Sequence, residues 1–237
     1  NLMRILIGIP ALDESASIGI VLSELENYHP LSDVVVIDDG SSDDTASIVR
    51  SFNVRLIQHP INLGVGAALG SAFKFAKYAG YDAVIQLDAD GQHRPEFLQT
   101  LVSQSVDADI VVGSRFADGG FFETTKIRRT VMRMIAWSVS KYTKSKLTDV
   151  TSGSRFSGPR AVDLFSTHYP VEYLGDTVES LILAAKKGLT ISEIPVNMNE
   201  RAGGLPSQNV YRASMYTGRI LMILLLAFFR STPSNMK

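Results

Sequence analysis

The sequence predicts an α/β fold, an open and mostly parallel sheet flanked by helices. Three observations point to it. Short Val- and Ile-rich runs alternate with helical periodicity four times within the first 120 residues. The runs are continuously apolar rather than alternating, as in strands covered on both faces. Three of them end in polar turns loaded with carboxylates, at the edge where open α/β sheets bind their ligands.

Taken in order, Arg4–Ile9 reads as the first strand and runs into Pro10-Ala11-Leu12-Asp13-Glu14. A helix is expected over Ser15–Tyr28. Asp33–Ile37 is the second strand and leads into Asp38-Asp39-Gly40-Ser41-Ser42-Asp43, with Asp43 placed to cap a helix over Asp43–Ser51. Val54–Gln58 is the third strand and Gly66–Tyr78 the helix after it. The fourth strand, Ala83–Leu87, runs into Asp88-Ala89-Asp90-Gly91-Gln92-His93. Pro95–Ser103 then reads as a helix with Pro95 in its first turn, where the missing N–H costs nothing. Ile110–Val112 is the fifth strand. Beyond it, Ile127, Val131, Met134, Ile135 and Tyr142 recur near helical spacing with Arg and Lys between them. Ile220–Phe229 is apolar on all sides and bracketed by Arg219 and Arg230.

Composition narrows the function. The 237 residues are 45% apolar and 20% charged, enough to bury a core and too apolar for a disordered tail. Absence of cysteine excludes disulfides, thiol nucleophiles and Cys-ligated metals. No run reaches the roughly 18 apolar residues of a membrane span, and the N-terminal apolar run is too short for a signal peptide. A cytoplasmic protein is expected. The net charge of −1 hides a division: residues 1–120 hold 16 acidic and 7 basic side chains, residues 121–237 hold 8 acidic and 16 basic. Lys126–Lys146 contains seven basic residues and no acidic one. A metal-binding half joined to an anion-binding half accounts for that polarity, and the acidic first half disfavours a nucleic-acid partner.

Asp, Gly and Ser are ordinary turn residues, so one acidic strand end has a simple conformational explanation. Three converging on one rim would repel one another unless a cation or hydrogen-bond donors share the site. Asp88-Ala89-Asp90 is the sharpest of the three. Two carboxylates one residue apart suit Mg²⁺ or Mn²⁺, which keep waters and take further ligands from substrate phosphates. His93 is a candidate third ligand.

These residues resemble family 2 glycosyltransferases with the A-type, Rossmann-like fold. The resemblance rests on Ile-Pro-Ala-x-Asp-Glu, Val-Ile-Asp-Asp-Gly-Ser-Ser-Asp-Asp-Thr, Asn62-Leu63-Gly64-Val65-Gly66 and Leu-Asp-Ala-Asp-Gly-Gln-His. It continues through Gly113-Ser114-Arg115, Asp149-x-Thr151-Ser152-Gly153-x-Arg155, the helix with Glu179 and Glu193-Ile194-Pro195-Val196. Their order is similar to the branch of dolichyl-phosphate mannosyltransferases and bacterial polyprenyl-phosphate glycosyltransferases. The resemblance implies that Pro10, Ala11, Asp13, Glu14 and Asp39 line the nucleoside. It places Asp88 and Asp90 on the metal at the diphosphate, with Gln92 close by. Arg115, Arg128, Arg129 and Ser152 would face the acceptor, and Arg201 the donor diphosphate or the lipid phosphate. Relatives often show Arg-x-x-Gly-x-Ser-Lys at that last position, whereas this chain has Arg201-Ala202-Gly203-Gly204-Leu205-Pro206-Ser207-Gln208 and lacks the Lys.

The expected activity is inverting transfer of a sugar from a GDP- or UDP-linked donor to a membrane polyprenyl phosphate. Stabilising the departing diphosphate is the main task, and a divalent ion with Arg115 serves it. A lipid phosphate arrives ionised and needs no base. Transfer to a hydroxyl of a lipid-linked saccharide is the alternative and needs one, with Asp149, Asp176 and Glu179 as candidates beside Asp90 and Arg115 in the catalytic set. A silent nucleotide-binding scaffold at a membrane is a more remote alternative. Gly64-Val65-Gly66-Ala67-Ala68-Leu69-Gly70 lacks dinucleotide and P-loop spacing and is expected to let a helix pack closely on the sheet.

Residues 1–207 are expected to form the catalytic domain, with 3–120 serving donor and metal and 121–207 the acceptor. Residues 208–237 form an apolar C-terminal helix. Its 210–230 stretch is expected either in the membrane interface or against protein, in a homo-oligomer or a membrane partner. The basic helix over Ile127–Tyr142 and the apolar run both suit peripheral attachment to the anionic inner face of the cell membrane.

Overall fold

Every strand expected from the sequence pairs into one seven-stranded sheet. The computed structural model describes residues 3–30, 33–92, 95, 97–117, 126–143, 145–171 and 176–196. In chain order the elements are β1 (Ile5–Ala11), α1 (Ile18–Leu25), β2 (Val34–Asp38), α2 (Thr45–Val49), β3 (Arg55–Gln58), α3 (Val65–Ala79) and β4 (Ala83–Gln86). There follow α4 (Phe97–Gln104), β5 (Ile110–Ser114), α5 (Lys126–Thr143), β6 (Arg155–Ser157), α6 (Pro159–Thr167), α7 (Asp176–Lys186) and β7 (Ile191–Pro195). The sheet order is β3-β2-β1-β4-β6-β5-β7. All neighbours are parallel except β6, which runs antiparallel to both β4 and β5.

Alternation along the strands sends side chains to two cores. Leu6, Val35, Ile37, Val84, Ile110 and Val112 face α3, α5, α6 and α7 through Phe73, Ile135, Val139, Phe165 and Leu181. Ile7, Ile9, Val34, Val36, Ile85 and Val111 face α1, α2 and α4 through Ile18, Leu22, Leu25, Val49 and Leu101. Helices on both faces explain the continuous apolar runs. β1 lies between β2 and β4, so the connections on its two sides depart to opposite faces and leave a crevice beyond its carboxyl end.

Close packing of α3 on the sheet occurs where a Cβ at Gly8 would lie 3.1 Å from the Ala72 Cβ. Gly66 answers a different contact. A Cβ there would lie 2.4 Å from the Pro170 carbonyl oxygen, so it admits the 169–171 segment rather than the sheet.

Several expectations need correction. β3 is an edge strand with Arg55 and Gln58 exposed, not covered on both faces. α1 starts at Ile18, because the Glu14 carbonyl accepts the N–H groups of Ser17 and Ile18 in a preceding turn. Asp43 caps α2 from one residue further out than the helix boundary, its Oδ1 accepting the N–H of Thr45, the first residue of the helix. Asp44, at the boundary itself, makes no side-chain cap bond, and Asp43 Oδ2 also accepts the Ser15 N–H, tying the turn to the segment before α1.

Candidate active site

Two of the acidic turns are tied to each other. The Asp39 N–H donates to the Ala11 carbonyl at 2.9 Å, joining the ends of β1 and β2 beside the half-buried Pro10. Asp13 Oδ1 accepts the Ser42 N–H at 2.8 Å, and the Asp13 N–H donates to Ser41 Oγ at 2.9 Å. Asp13 holds a left-handed φ of 54°, a conformation a non-glycine residue adopts only when its surroundings fix it. The Glu14 N–H donates to Thr45 Oγ1, and Glu14 Oε2 accepts the Ser17 hydroxyl at 2.6 Å.

Asp39 also organises the loop before α3. Its Oδ1 accepts the Leu63 N–H at 3.1 Å and meets His59 Nδ1 at 2.6 Å; its Oδ2 accepts the Gly64 N–H at 2.7 Å. His59 Nε2 meets Ser71 Oγ at 2.9 Å, linking this loop to α3. Nothing in the sequence singles out His59, since a lone loop histidine carries no periodic or motif signal.

The third turn lies against β6. Gln86 pairs with Arg155 in the antiparallel ladder, and the same register carried outward sets Asp88 opposite Gly153. A Cβ on Gly153 would lie 2.5 Å from Asp88 Oδ1 and 2.6 Å from Oδ2, so only glycine allows the carboxylate there. Asp88 and Asp90 are half-buried, and Asp90 Oδ1 accepts the Gln92 N–H at 3.0 Å across the left-handed Gly91. Among the described residues no third His, Asp or Glu completes a metal cluster with them. Two hard oxygen donors one residue apart, backed by a space held open by Gly153, fit Mg²⁺ or Mn²⁺ whose other ligands come from phosphate and water.

Arg115 and Asp149 form a buried ion pair on the other side of β6. Arg115 Nε donates to Asp149 Oδ2 at 2.6 Å and Nη2 to Oδ1 at 3.0 Å, while the Arg115 N–H donates to Oδ2 at 3.2 Å. Burial would raise the Asp149 carboxyl, but hydrogen bonds and charge from Arg115 outweigh it and hold the group below the usual carboxylate range. Glu193 on β7 fixes the turn that carries Asp149. Its Oε2 accepts the Thr148 and Asp149 N–H groups at 2.6 and 3.0 Å, and its Oε1 the Thr148 hydroxyl at 2.7 Å. That leaves Thr148 Oγ1 to accept the Ser114 hydroxyl at 2.8 Å.

Beneath the rim, Arg155 is fully buried. It donates to the carbonyls of Val150, Ser152 and Thr177 and to Ser180 Oγ, and so ties β6 to α7. Burial lowers its pKa against the pull of Tyr169, Asp176, Asp149 and Asp88. Asp176 is 2% exposed, and its Oδ2 has no hydrogen-bond partner among the described residues. Burial pushes its carboxyl up to about 6, with the Arg155 charge pulling back. Ser152 is also buried, and its hydroxyl accepts the Ser154 N–H at 3.3 Å. Glu179 is half-buried on α7.

The structure therefore brings Asp88, Asp90, Gln92, Arg115, Asp149 and Ser152 around β6, and Pro10, Ala11, Asp13, Glu14 and Asp39 around the β1–β2 crevice. His93, Arg201, the 208–237 segment and the side chains of Arg128 and Arg129 lie outside the described residues. A cavity of about 260 Å³ opens at the opposite end of the sheet, beside Asp109, Phe156 and Arg160. Asp109 there already accepts Arg160 Nη1 and the N–H and hydroxyl of Thr190.

Comparison with known proteins adds the family. Residues 6–163 match the model of glycosyl transferase family 2. The chain belongs to that family. Undecaprenyl-phosphate mannosyltransferase of Micrococcus luteus is 33% identical over 85% of this chain and 86% of its own length. A UDP-N-acetylglucosamine–dolichyl-phosphate N-acetylglucosaminyltransferase of Methanococcus voltae is 29% identical over 79% of this chain and 82% of its own. Glucosyl-3-phosphoglycerate synthase of Mycobacterium tuberculosis, solved with Mn²⁺ and UDP, superposes with a TM-score of 0.76 at 18% identity, covering 98% of this chain and 82% of that one. The likeness to that structure is one of fold. Family 2 membership makes the chain a glycosyltransferase, and its overall fold is that of the mycobacterial enzyme.

Proposed function

We propose that the chain transfers a sugar, with inversion, from a GDP- or UDP-linked donor to a polyprenyl phosphate, using Mg²⁺ or Mn²⁺ held by Asp88 and Asp90. The observation that carries this reading is the placement of β6. It stands between β4, which runs into the acidic pair, and β5, which runs into Arg115 and its ion pair with Asp149, and this supports a cation site beside an anion site.

The Asp13–Ser42 and Asp39–Leu63–Gly64 contacts pre-form the crevice walls in which the nucleoside is proposed to sit. A divalent ion bound by Asp88 and Asp90 would supply charge neutralisation for the departing diphosphate. Asp149 keeps Arg115 in one orientation, a fixed cation suited to a phosphate oxygen. A phosphate-terminated acceptor has its second pKa near about 6 and needs no proton removed. The site supports such an acceptor: Asp149 is committed to Arg115 and Asp176 is closed off from solvent, which leaves Glu179 as the half-buried carboxylate of the three expected bases. The lipid acceptors in the names of the Micrococcus and Methanococcus relatives support the same choice. Inversion follows from a single displacement.

Among the described residues no helix is long and apolar enough to cross a membrane. We place the enzyme at the cytoplasmic membrane face, where it meets its acceptor. Radiolabelled GDP- and UDP-sugars offered with polyprenyl phosphate or a lipid-linked saccharide test the assignment. An acid-labile labelled lipid formed from polyprenyl phosphate, dependent on a divalent ion, is expected. Product formed only from the saccharide lipid would overturn it.

A further inference from the structure

Asp39 and His59 form a buried pair at the root of the β3–α3 loop. Their side chains are 5% and 10% exposed, whereas Pro60, Ile61, Asn62 and Leu63, which follow His59, are all exposed. β3 is an edge strand, so the chain leaving it has sheet on one side only. Three backbone donors fasten that chain to the β2 turn. The His59 N–H donates to the Asp38 carbonyl at 2.9 Å, and the Leu63 and Gly64 N–H groups reach the Asp39 carboxylate. Gly40, at a φ of 82°, lets the loop lie against its backbone, since a Cβ there would be 2.7 Å from the Ile61 carbonyl carbon.

We propose that His59 is a positioning residue for donor binding: it fixes the Asp39 carboxylate and, through it, the Leu63–Gly64 turn that walls the nucleoside crevice. The inference rests on the donor site proposed above, and it names a residue that acts on that site without touching the donor. A carboxylate only accepts hydrogen bonds, so Nδ1 carries the proton shared with Asp39, which leaves Nε2 for the Ser71 hydroxyl. Asp39 follows β2 and Ser71 lies in α3, so one imidazole ties the sheet to the helix on either side of the loop. Without the ring, Asp39 keeps only the loop's own N–H groups among the described residues, and nothing joins that cluster to Ser71.

The order Ser71–His59–Asp39 is also that of a nucleophilic triad. Ser71 sits inside α3, where backbone N–H groups are spent on the helix ladder and cannot line an oxyanion hole. Positioning is therefore the role this geometry supports. A wall that loses its anchor weakens donor binding in the ground state and the transition state alike, so the donor KM should rise while kcat stays.

The test measures donor KM, kcat and calorimetric Kd for GDP and UDP on the full chain with Mn²⁺. His59→Ala and His59→Gln lose the Nδ1 donor and should raise donor KM and nucleotide Kd at least about fivefold, with kcat within about twofold. His59→Asn sets an amide donor where Nδ1 stands and should bring both back to within about twofold of wild type. The Mn²⁺ requirement should be unchanged throughout, because Asp88 and Asp90 belong to another turn. His59→Gln, which still reaches Ser71, decides the matter where His59→Ala does not fold. An unchanged nucleotide Kd in these two variants, no recovery in His59→Asn, or a kcat that falls as far as KM rises would each overturn the positioning role. A wild type that binds neither nucleotide would instead count against the proposed function.

Discussion

Gly153 faces Asp88 with no room for a side chain, since a Cβ would lie 2.5 Å from Oδ1. Gly153→Ala must therefore move either the β6 end or the carboxylate. Overpacking of this kind costs about 1–3 kcal/mol. The predicted outcome is a raised Mn²⁺ requirement and at least a tenfold (~1.4 kcal/mol) loss of transfer at limiting metal, read from initial rates across a metal titration. An unchanged titration would mean that Asp88 does not need its present position.

Arg115 and Asp149 should behave as a unit. The Asp149 side chain is 0% exposed, so Arg115→Ala strands a buried carboxylate, a loss of about 3–5 kcal/mol. Arg115→Lys keeps the charge but loses the two-pronged contact, and is predicted to lose most of the transfer rate. Burial raises the Asp149 pKa and Arg115 more than reverses it, so the folded value lies below the unfolded one. The pair's stabilisation is then complete above about pH 4 and is lost as pH falls through the folded value. Melting temperatures of wild type and Asp149→Asn should converge at low pH; a constant gap would contradict the pairing.

Glu193 acts on the site through Thr148 and Asp149. Glutamine in its place turns one accepting oxygen into a donor that faces a donor, at a cost of about 1–3 kcal/mol. Glu193→Gln is predicted to lower kcat with the donor KM unchanged, because the acidic turns do not move. Steady-state kinetics check this, and a change confined to melting temperature would reduce Glu193 to a structural role.

Asp176 is the reverse case of Asp149. Its folded pKa is raised to about 6, so the folded state holds the proton more tightly than the unfolded chain does. Stability should fall as pH rises from about 4 to about 6, by about 2–3 kcal/mol for a shift of this size, and stay lower above it. Asp176→Asn should flatten that dependence and melt higher than wild type at pH 8. A variant that melts lower at pH 8 would contradict the burial account.

Much of this was legible because strands and acidic turns are local. Five strands and the Asp13, Asp39, Asp88 and Asp90 clusters lie where period and composition put them. β6 was not legible, because three residues, Arg-Phe-Ser, are too few to show a period. Its insertion is what joins Asp88 to Gly153 and Arg115 to Asp149, contacts set by register across more than 30 residues. The roles of His59, Arg155 and Glu193 are likewise created by packing. Asp176, expected as a candidate base, is buried where α7 closes over Arg155.

The central claim is that Asp88 and Asp90 hold a divalent ion against the donor's diphosphate. Thermal shift with GDP and UDP, with and without Mn²⁺, tests it most directly, because a ligand bound only to the folded form raises the melting temperature with its affinity. Wild type should show a nucleotide shift that Mn²⁺ enlarges, and Asp88→Ala and Asp90→Ala should lose the Mn²⁺-dependent part while keeping the remainder. An enlargement that survives both substitutions would contradict the account.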